Sequence, residues 1–318
     1  MFPPLIFIVG PTGSGKSSLA FHLAKKISAE IISVDSMKVF RGLNIGTAKP
    51  SLQERSQVPY HLLDILEPSE YFSLGEFVKR AEQKIEEIRQ RTPWIILEGG
   101  TALYLKGLLW GVFEGPPRNE RLRQKLEDFA DRYGTAVFHR RLQTLDPQRS
   151  QKIHVNDRKR LIRALEVYYE TGRILSEHQQ QFSQEPRFPH LMYAFRWERS
   201  ELYERINQRV LKMFETGWIE EVQQLALPYF CSEAQMALGY KEIWEFLQGH
   251  RNREETIELI QQQTRRFAKK QYTWFNNSFP QIRWLEAHQP LEELLLHILK
   301  DCTDFPWETN GSTGSNSF

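Results

Sequence analysis

The chain has 318 residues, of which 40% are hydrophobic and 26% are charged, and its formal net charge is +2. These values are ordinary for a globular protein, and no apolar stretch is long enough to cross a membrane as a helix. Its two cysteines, Cys231 and Cys302, lie far apart. They offer neither a disulfide framework nor metal-ligand spacing, so we expect a cytoplasmic protein in a reducing compartment.

Positive charge is concentrated in one part of the chain. Residues 116–200 contain 17 Lys and Arg against 11 Asp and Glu, a balance of +6, whereas the remainder has 25 against 29, or −4. A basic segment of this kind fits a polyanionic partner, and it also fits an ordinary solvated helical surface. Charge alone leaves both interpretations open.

The opening stretch combines an apolar strand, a glycine-rich loop and a helical pattern. Leu5–Val9 is followed by GPTGSGKS and then by the helical spacing of Ser18–Ile27. This order is the context that a phosphate-binding loop requires, because glycines let successive amides face one anion and the helix start adds its positive dipole end. Lys16 is predicted to reach phosphate oxygens, and the Ser17 hydroxyl is placed to hold Mg²⁺. The predicted diphosphate- or nucleotide-binding residues are Gly10, Pro11, Thr12, Gly13, Ser14, Gly15, Lys16 and Ser17.

Further buried-strand patterns occur at Glu30–Val34, Trp94–Glu98 and Leu191–Trp197. Helical patterns separate them, and one of these begins at a serine cap, Ser73. The alternation predicts an α/β fold with a P-loop NTPase-like parallel sheet core flanked by helices. Because the carboxyl ends of parallel strands meet at one edge of a sheet, Asp35 is expected to lie beside the phosphate loop.

The strand patterns disappear after residue 116, and helical spacing with Arg and Lys on the polar sides replaces them. Strand-like residues return at 191, so we interpret the basic helical stretch as an insertion in one core domain. We predict a core of residues 1–115 and 191–300 with C-terminal helices and an all-helical insertion domain of residues 116–190. Residues 301–318 are rich in Gly, Ser, Thr and Asn and are predicted to form a disordered tail.

The phosphate loop by itself favours nucleotide hydrolysis or phosphoryl transfer, so a small-molecule kinase is the default function. The last long helical pattern, Thr264–Phe275, interleaves basic and aromatic residues. Such a helix can contact phosphates and stack bases, and it can equally be an amphipathic helix with an aromatic core stripe. Both interpretations stay open on the residues alone.

Six blocks in order resemble the tRNA dimethylallyltransferase family, also called tRNA isopentenyltransferases. The blocks are Gly10–Ser17 (GPTGSGKS), Asp35–Pro50 (DSMKVFRGLNIGTAKP), Gly99–Tyr104 (GGTALY), Arg158–Gly172 (RKRLIRALEVYYETG), Leu238–Glu242 (LGYKE) and Gln263–Phe275. The second and third blocks are far more specific than the phosphate loop. The resemblance runs from about Leu5 to Trp284 and implies that the helical insertion binds tRNA.

The resemblance implies transfer of a dimethylallyl group from dimethylallyl diphosphate to the exocyclic amine of the adenine 3′ to the tRNA anticodon. The phosphate loop would then hold the leaving diphosphate, with Mg²⁺ as the cofactor at Ser17. Thr12 would contact the oxygen that bridges carbon and phosphorus, and Arg209, or alternatively Arg205, would close on the diphosphate. Asp35 would be the general base, because the amine becomes acidic only as it attacks the allylic carbon.

The same resemblance implies contacts to the anticodon stem-loop, from which the target base must leave its stack. The implied tRNA-binding residues are Asp35, Ser36, Met37, Lys38, Thr101, Arg123, Lys159, Arg160, Leu161, Ile162, Arg163, Gly239, Tyr240, Lys241, Lys269, Lys270, Gln271 and Trp274. The chain departs from the family at Lys159, where glutamine is common, and at Asn276, where an arginine usually follows Trp-Phe. The zinc finger of eukaryotic members is not found, so we expect a bacterial-type enzyme. We separately expect a monomer.

Three alternative functions are weighed against this one. An adenylate isopentenyltransferase acting on free nucleotide would not need the extended basic surface of the insertion and the last helix. A small-molecule kinase would turn over ATP with a hydroxyl acceptor. A non-catalytic RNA-binding protein is disfavoured because Lys16, Ser17 and Asp35 are all present.

Overall fold

The computed structural model describes residues 2–112, 115–116, 119–178, 185–225 and 227–306. The chain divides into two compact units. Residues 1–109 and 188–318 make up the first, which we call the sheet unit, and residues 110–187 make up the second, the helical unit. The sequence predicts the corresponding boundaries at residues 116 and 190.

Within the described ranges, the sheet unit contains six strands, all paired in parallel in the order β3-β2-β4-β1-β5-β6. The strands are β1 Leu5–Val9, β2 Glu30–Ser33, β3 Tyr60–His61, β4 Ile95–Gly99, β5 His190–Arg196 and β6 Arg283–Glu286.

The α-helices of the described chain are α1 Lys16–Ile27, α2 Leu52–Gln57, α3 Leu74–Arg89, α4 Ala102–Trp110, α5 Glu120–Tyr133, α6 Thr135–Leu145, α7 Pro147–Ser150, α8 Arg158–Thr171, α9 Leu175–His178, α10 Arg199–Glu215, α11 Trp218–Gln224, α12 Tyr240–Leu247, α13 Arg253–Ser278 and α14 Leu291–Thr303. Short 3-10 turns occur at Leu227–Tyr229 and Ala234–Met236. None of the helices in the described ranges is long and apolar enough to cross a membrane.

The sheet is buried on both faces, as expected for parallel strands connected by helices. In β1, Ile6 and Ile8 point to one face and share a buried cluster with Leu23 of α1 and Ile298 of α14. Phe7 points to the opposite face, because successive side chains of a strand alternate. On β2 and β4 the packing partners are α1 and α3, and the N-terminal cap of α3 is the predicted Ser73. The predicted strands and their helical connections are therefore confirmed.

Two elements near the C-terminal end differ from the predictions. The short strand β6 and the helix α14 were not predicted; β6 has only four residues, and its two apolar side chains are adjacent, so it shows no strand alternation. Residues Asp301–Thr303 belong to α14, and the Asp301 carboxylate accepts a hydrogen bond from the Tyr193 hydroxyl at 2.7 Å. The prediction of disorder from residue 301 is therefore wrong for these three residues. Residues 307–318 of the predicted tail lie outside the described part of the chain.

The helical unit has its own hydrophobic core, to which Leu126 of α5, Phe138 of α6 and Leu165 of α8 contribute. Leu161 and Ile162, also on α8, are 0% and 2% exposed and belong to the same core. The prediction that these two residues contact tRNA is wrong for their side chains, because the spacing of apolar residues along α8 turns them inward.

The buried carboxylate of Glu166 connects helices α5 and α8 of the helical unit. Glu166 is 0% exposed, and its Oε2 pairs with Arg123 Nη2 at 2.7 Å and with Arg163 Nη1 at 2.9 Å. Its Oε1 accepts a hydrogen bond from the backbone N–H of Asn119, at the start of α5. Burial alone would raise the pKa of Glu166, but the hydrogen bonds from Arg163 and Arg123 outweigh burial and lower it. Glu166 of α8 therefore holds α5 through Arg123 and the Asn119 N–H, while Arg163 pairs with it within α8.

We expect Glu166→Gln to lower the free energy of unfolding by about 2 kcal/mol, the value typical of hydrogen bonds to a charged group. Because the folded-state pKa lies below the ordinary value of 4.5, the stabilisation is complete above that pH and is lost as the pH falls further. Urea unfolding at neutral and acidic pH measures both effects. Glu170→Gln, on the exposed face of the same helix, is the control and should change stability by less than about 0.5 kcal/mol. Equal losses in the two variants would contradict the assignment.

Candidate functional site

A cavity of about 480 Å³ lies in the sheet unit and is lined by residues that follow the carboxyl ends of the central strands. Val9 of β1 pairs with Gly99 of β4, and Ser33 of β2 pairs with Glu98, so the three strands end together. The cavity brings together these predicted site residues: Thr12, Lys16, Ser17, Asp35, Ser36, Met37, Lys38, Thr101, Arg209, Tyr240 and Gln271.

The phosphate loop has the backbone that its glycines were predicted to provide. Gly10, Gly13 and Gly15 have φ values of 125°, 80° and 95°, a region that side-chain-bearing residues rarely adopt. Helix α1 begins directly afterwards, at Lys16, so its first amides and its positive dipole end face the loop. This conformation suits a bound phosphate group.

Trp197, the residue after β5, and Arg205 of α10 contact the backbone of the phosphate loop. The Trp197 indole N–H donates to the Ser14 carbonyl at 3.0 Å, and Arg205 Nε donates to the Gly13 carbonyl at 3.1 Å. The Arg205 guanidinium also lies over the Trp197 ring at 4.4 Å. Arg205 is therefore engaged with the loop backbone, whereas Arg209, one helical turn further along α10, lines the cavity.

Three charged side chains are buried together beneath the loop. Glu98, at 2% exposure, accepts a hydrogen bond from the Ser17 hydroxyl at 2.8 Å and pairs with Lys38 Nζ at 3.4 Å. Burial would raise the pKa of Glu98, but the positive charges of Lys38 and Lys16 outweigh it and lower the pKa. Burial lowers the pKa of Lys16 to about 8, and its Nζ donates to the Pro11 carbonyl at 3.3 Å. Glu98 was not among the predicted site residues, although an acidic residue near the end of a buried strand is the signal that could have identified it.

Asp35 is held by a local turn at the edge of the sheet. Its Oδ1 accepts hydrogen bonds from the backbone N–H groups of Met37 at 2.8 Å and Lys38 at 3.2 Å. The next residue, Ser36, donates its N–H to the Thr101 hydroxyl at 3.1 Å. Within the described chain Oδ2 makes no hydrogen bond, so one carboxylate oxygen is free to accept a proton. The close approach of the two strands requires Gly99, since a Cβ there would lie 2.0 Å from the Val34 carbonyl oxygen.

Arg209 is a half-buried cation whose guanidinium makes no hydrogen bond or ion pair with the residues that the structure describes. Burial lowers its pKa, while the Asp35 and Glu98 carboxylates act in the opposite direction. With Lys16 and Lys38, the site contains three cations, and its carboxylates are those of Asp35, Glu98 and Glu233. The guanidinium of Arg209, which has no such partner among the described residues, favours an anionic ligand near Lys16 and the phosphate loop.

Gln271 of α13 joins two backbone segments of the site. Its Oε1 accepts from the Thr12 N–H at 2.9 Å, and its Nε2 donates to the Gly100 carbonyl at 2.9 Å. The residue is only 9% exposed. Its side-chain amide therefore links the phosphate loop to the end of β4, a contact that the sequence did not predict.

The remaining predicted tRNA-binding residues fall into two groups. Arg123 and Arg163 pair with Glu166 in the helical unit, and Tyr240 is 2% exposed and donates its hydroxyl hydrogen to Glu221 at 2.7 Å. Gly239 has φ 90° and packs against Trp218. The exposed residues are Lys159 and Arg160 in the helical unit and Lys241, Lys269, Lys270 and Trp274 in the sheet unit.

These features define a phosphate-loop α/β protein whose cavity combines the loop with a carboxylate and a buried lysine–glutamate pair. Residues 38–278 match the IPP transferase family, and the chain belongs to that family.

Curated relatives agree over nearly the whole length. The chain is 44% identical over 305 residues to tRNA dimethylallyltransferase of Carboxydothermus hydrogenoformans, covering 95% of this chain and 98% of the relative. It is 41% identical over 303 residues to tRNA dimethylallyltransferase 2 of Geotalea uraniireducens, covering 93% and 96%.

Solved structures show the same fold. The tRNA isopentenylpyrophosphate transferase of Bacillus halodurans has a TM-score of 0.68 at 36% identity, covering 95% of this chain and 97% of the other. A eukaryotic dimethylallyltransferase, described in a crystallographic study of its action on tRNA, has a TM-score of 0.82 at 28% identity, covering 96% and 81%.

The pKa of Lys16 predicts how anion binding depends on pH. Lys16 carries its charge below about pH 8 and loses it above that value. We expect the affinity for sulfate, an anion that does not titrate in this range, to be constant near neutral pH and to fall about tenfold per pH unit well above the pKa. Equilibrium binding of sulfate across this range measures the effect. Lys16→Met should bind weakly at every pH, and a pH-independent wild-type affinity would contradict the role of Lys16.

Proposed function

We propose that the protein transfers a dimethylallyl group from dimethylallyl diphosphate to the exocyclic amine of the adenine 3′ to the anticodon of tRNA. The observation that carries this proposal is the single cavity in which the anion-binding residues Lys16 and Arg209 and the anchored carboxylate of Asp35 meet. The names of the curated relatives, tRNA dimethylallyltransferases, support the same reaction.

The donor's diphosphate would be held by the phosphate-loop amides and by Lys16 and Arg209. The Thr12 hydroxyl would contact the oxygen that bridges the allylic carbon to phosphorus and stabilise it as charge develops. Mg²⁺ would be held by the Ser17 hydroxyl together with diphosphate oxygens, and it would supply charge neutralisation to the leaving group. The Ser17 hydroxyl donates its hydrogen to Glu98, so the lone pairs of its oxygen remain available. Oxygen ligands of this kind fit a hard cation.

Asp35 would receive the proton that the reaction releases. The adenine amine attacks the allylic carbon, the carbon–oxygen bond breaks, and diphosphate leaves with the bonding electrons. The nitrogen has by then gained positive charge, so an amine proton passes to the carboxylate. The hydrogen bonds from the Met37 and Lys38 amides to Oδ1 fix the carboxylate, so that its contribution is orientation.

The tRNA would contact exposed basic and aromatic residues, and its target adenine would leave the stack to enter the cavity. Lys159 and Arg160 offer charge in the helical unit, and Lys269, Lys270 and Trp274 offer charge and an aromatic face along α13. We further propose that the enzyme acts as a monomer in the cytoplasm.

Incubation with Mg²⁺, labelled dimethylallyl diphosphate and unmodified bulk tRNA, followed by nucleoside analysis, tests the proposal. Label in isopentenyl-adenosine supports it. Label in added AMP but not in tRNA would indicate an adenylate isopentenyltransferase instead. Label in neither acceptor, with turnover of ATP, would indicate a kinase.

Asp35→Asn separates chemistry from binding. The amide keeps an oxygen for the Met37 and Lys38 N–H groups but cannot accept the proton, so we expect the single-turnover rate to fall by about 10²- to 10⁴-fold. The affinities for donor and tRNA should stay within about twofold of wild type. Asp35→Ala should additionally weaken substrate binding, because it removes the turn. A wild-type rate in Asp35→Asn would remove Asp35 from the mechanism.

Arg160→Ala tests the exposed tRNA surface. The Arg160 side chain is 67% exposed and makes one ion pair, with Asp157 at 3.3 Å, so its loss should leave the fold intact. We expect tRNA affinity to fall severalfold and the slope of log K against log salt to decrease by about one. Lys79→Ala, an exposed lysine on α3, is the matched control. Equal salt slopes in wild type and Arg160→Ala would place the tRNA elsewhere.

A further inference from the structure

The segment Gly42–Pro50, which we call the wall loop, forms one side of the cavity without being helix or strand along most of its length. Gly46, Thr47 and Ala48 line the cavity. Ala48 has φ 49°, in the left-handed region that is unfavourable for a residue with a Cβ. A loop in this conformation persists only where its surroundings hold it.

One carboxylate accepts hydrogen bonds from three backbone amides of the wall loop. Glu221 of α11 accepts at Oε2 from the N–H groups of Asn44 at 3.0 Å and Ile45 at 2.8 Å. Its Oε1 accepts from the Gly46 N–H at 3.4 Å and from the Tyr240 hydroxyl at 2.7 Å. Three successive amides converging on one anion form a strong, charge-assisted contact.

The packing around this carboxylate places the wall loop directly against the side chain of Trp218. A Cβ on Gly46 would lie 2.4 Å from Trp218 Nε1, and a Cβ on Gly239 would lie 2.2 Å from Trp218 Cη2. Trp218 and Tyr240 are each 2% exposed, and their rings meet edge to face at 5.9 Å. The backbones of the wall loop and of the start of α12 therefore fit directly against the Trp218 ring.

The far end of the wall loop is held separately. Lys49 is buried, and its Nζ donates to the Phe40 carbonyl at 2.6 Å, to Asn44 Oδ1 at 3.1 Å and to the Asp64 carboxylate. Glu221 thus fixes the first half of the loop, Lys49 fixes the second, and the cavity-lining residues lie between them.

We infer that Glu221 is a positioning residue, which sets the shape of the substrate cavity by holding the wall loop through Asn44, Ile45 and Gly46. The inference rests on the proposed function in that the cavity holds the donor and the adenine. Ala48 and Arg209 also border an adjoining groove of about 820 Å³, so the wall loop lies between the cavity and this groove. Without Glu221 the wall loop would move toward either the cavity or the groove. The reacting groups would then lose their alignment, while the phosphate loop would stay intact.

Three variants test the inference. Glu221→Ala removes all the hydrogen bonds to the loop. Glu221→Gln retains an oxygen for two amides and a donor for the Tyr240 hydroxyl oxygen, so it should restore most of the function. Glu220→Ala, the exposed neighbour on the same helix, is the matched control.

Amide hydrogen exchange provides the readout that does not depend on activity. In Glu221→Ala we expect exchange of residues 44–46 to rise at least tenfold, with no change in the β1 and β4 amides, because only the local anchor is lost. We expect kcat for transfer to fall about 10- to 100-fold, with the affinity for inorganic diphosphate and Mg²⁺ within about twofold of wild type. Glu221→Gln should recover to within about fivefold of the wild-type kcat.

Unchanged exchange at residues 44–46 in Glu221→Ala would overturn the inference, as would a general rise across the sheet or equal kinetic effects of Glu221→Ala and Glu220→Ala. If wild-type protein transfers no dimethylallyl group, the proposed function fails, and the exchange result still decides whether Glu221 holds the wall loop.

Discussion

The buried Glu98 carboxylate is the charge on which the anion site depends. Two lysines, Lys16 and Lys38, are almost completely removed from water beneath the phosphate loop, and buried ammonium groups without counter-charge would lose their protons. Glu98 offsets part of this cost and also orients the Ser17 hydroxyl. Arg209 lines the same cavity and makes no hydrogen bond or ion pair with the described residues. Its charge is therefore the one that an anionic ligand could engage without breaking an existing pair.

The elements that hold the site come from opposite ends of the chain. The Gln271 side chain forms hydrogen bonds with both the Thr12 amide and the Gly100 carbonyl. Arg205 donates a hydrogen bond to the Gly13 carbonyl. The phosphate loop is thus held between strands near the N-terminus and helices that follow the helical unit. A single turn of α10 separates Arg205, which supports the loop, from Arg209, which lines the cavity, so this helical spacing gives two chemically identical residues different surroundings.

Local patterns predicted the sheet and the phosphate loop well, because strand periodicity, glycine spacing and helix start signals are properties of neighbouring residues. Asp35 was placed correctly at the sheet edge by the same logic, since parallel strands end together. Contacts such as Gln271 with Thr12, or Glu221 with Asn44, join residues that are distant in sequence, and no local pattern reveals them. Leu161 and Ile162 illustrate the opposite error. The helical spacing of α8 indicates that they are core positions, whereas the family resemblance, which covers the whole block, implies tRNA contact for both.

The position of the helical unit between α4 and β5 has a consequence for synthesis. Strand β1 lies between β4 and β5 in the sheet, yet β5 leaves the ribosome only after the entire helical unit. Until then one edge of β1, an unbroken run of buried apolar residues, has no partner within the sheet. The helical unit has its own hydrophobic core and can therefore fold before the sheet is complete. A nascent chain stalled before residue 190 would therefore have the whole sequence of the helical unit but an unpaired, aggregation-prone edge on β1.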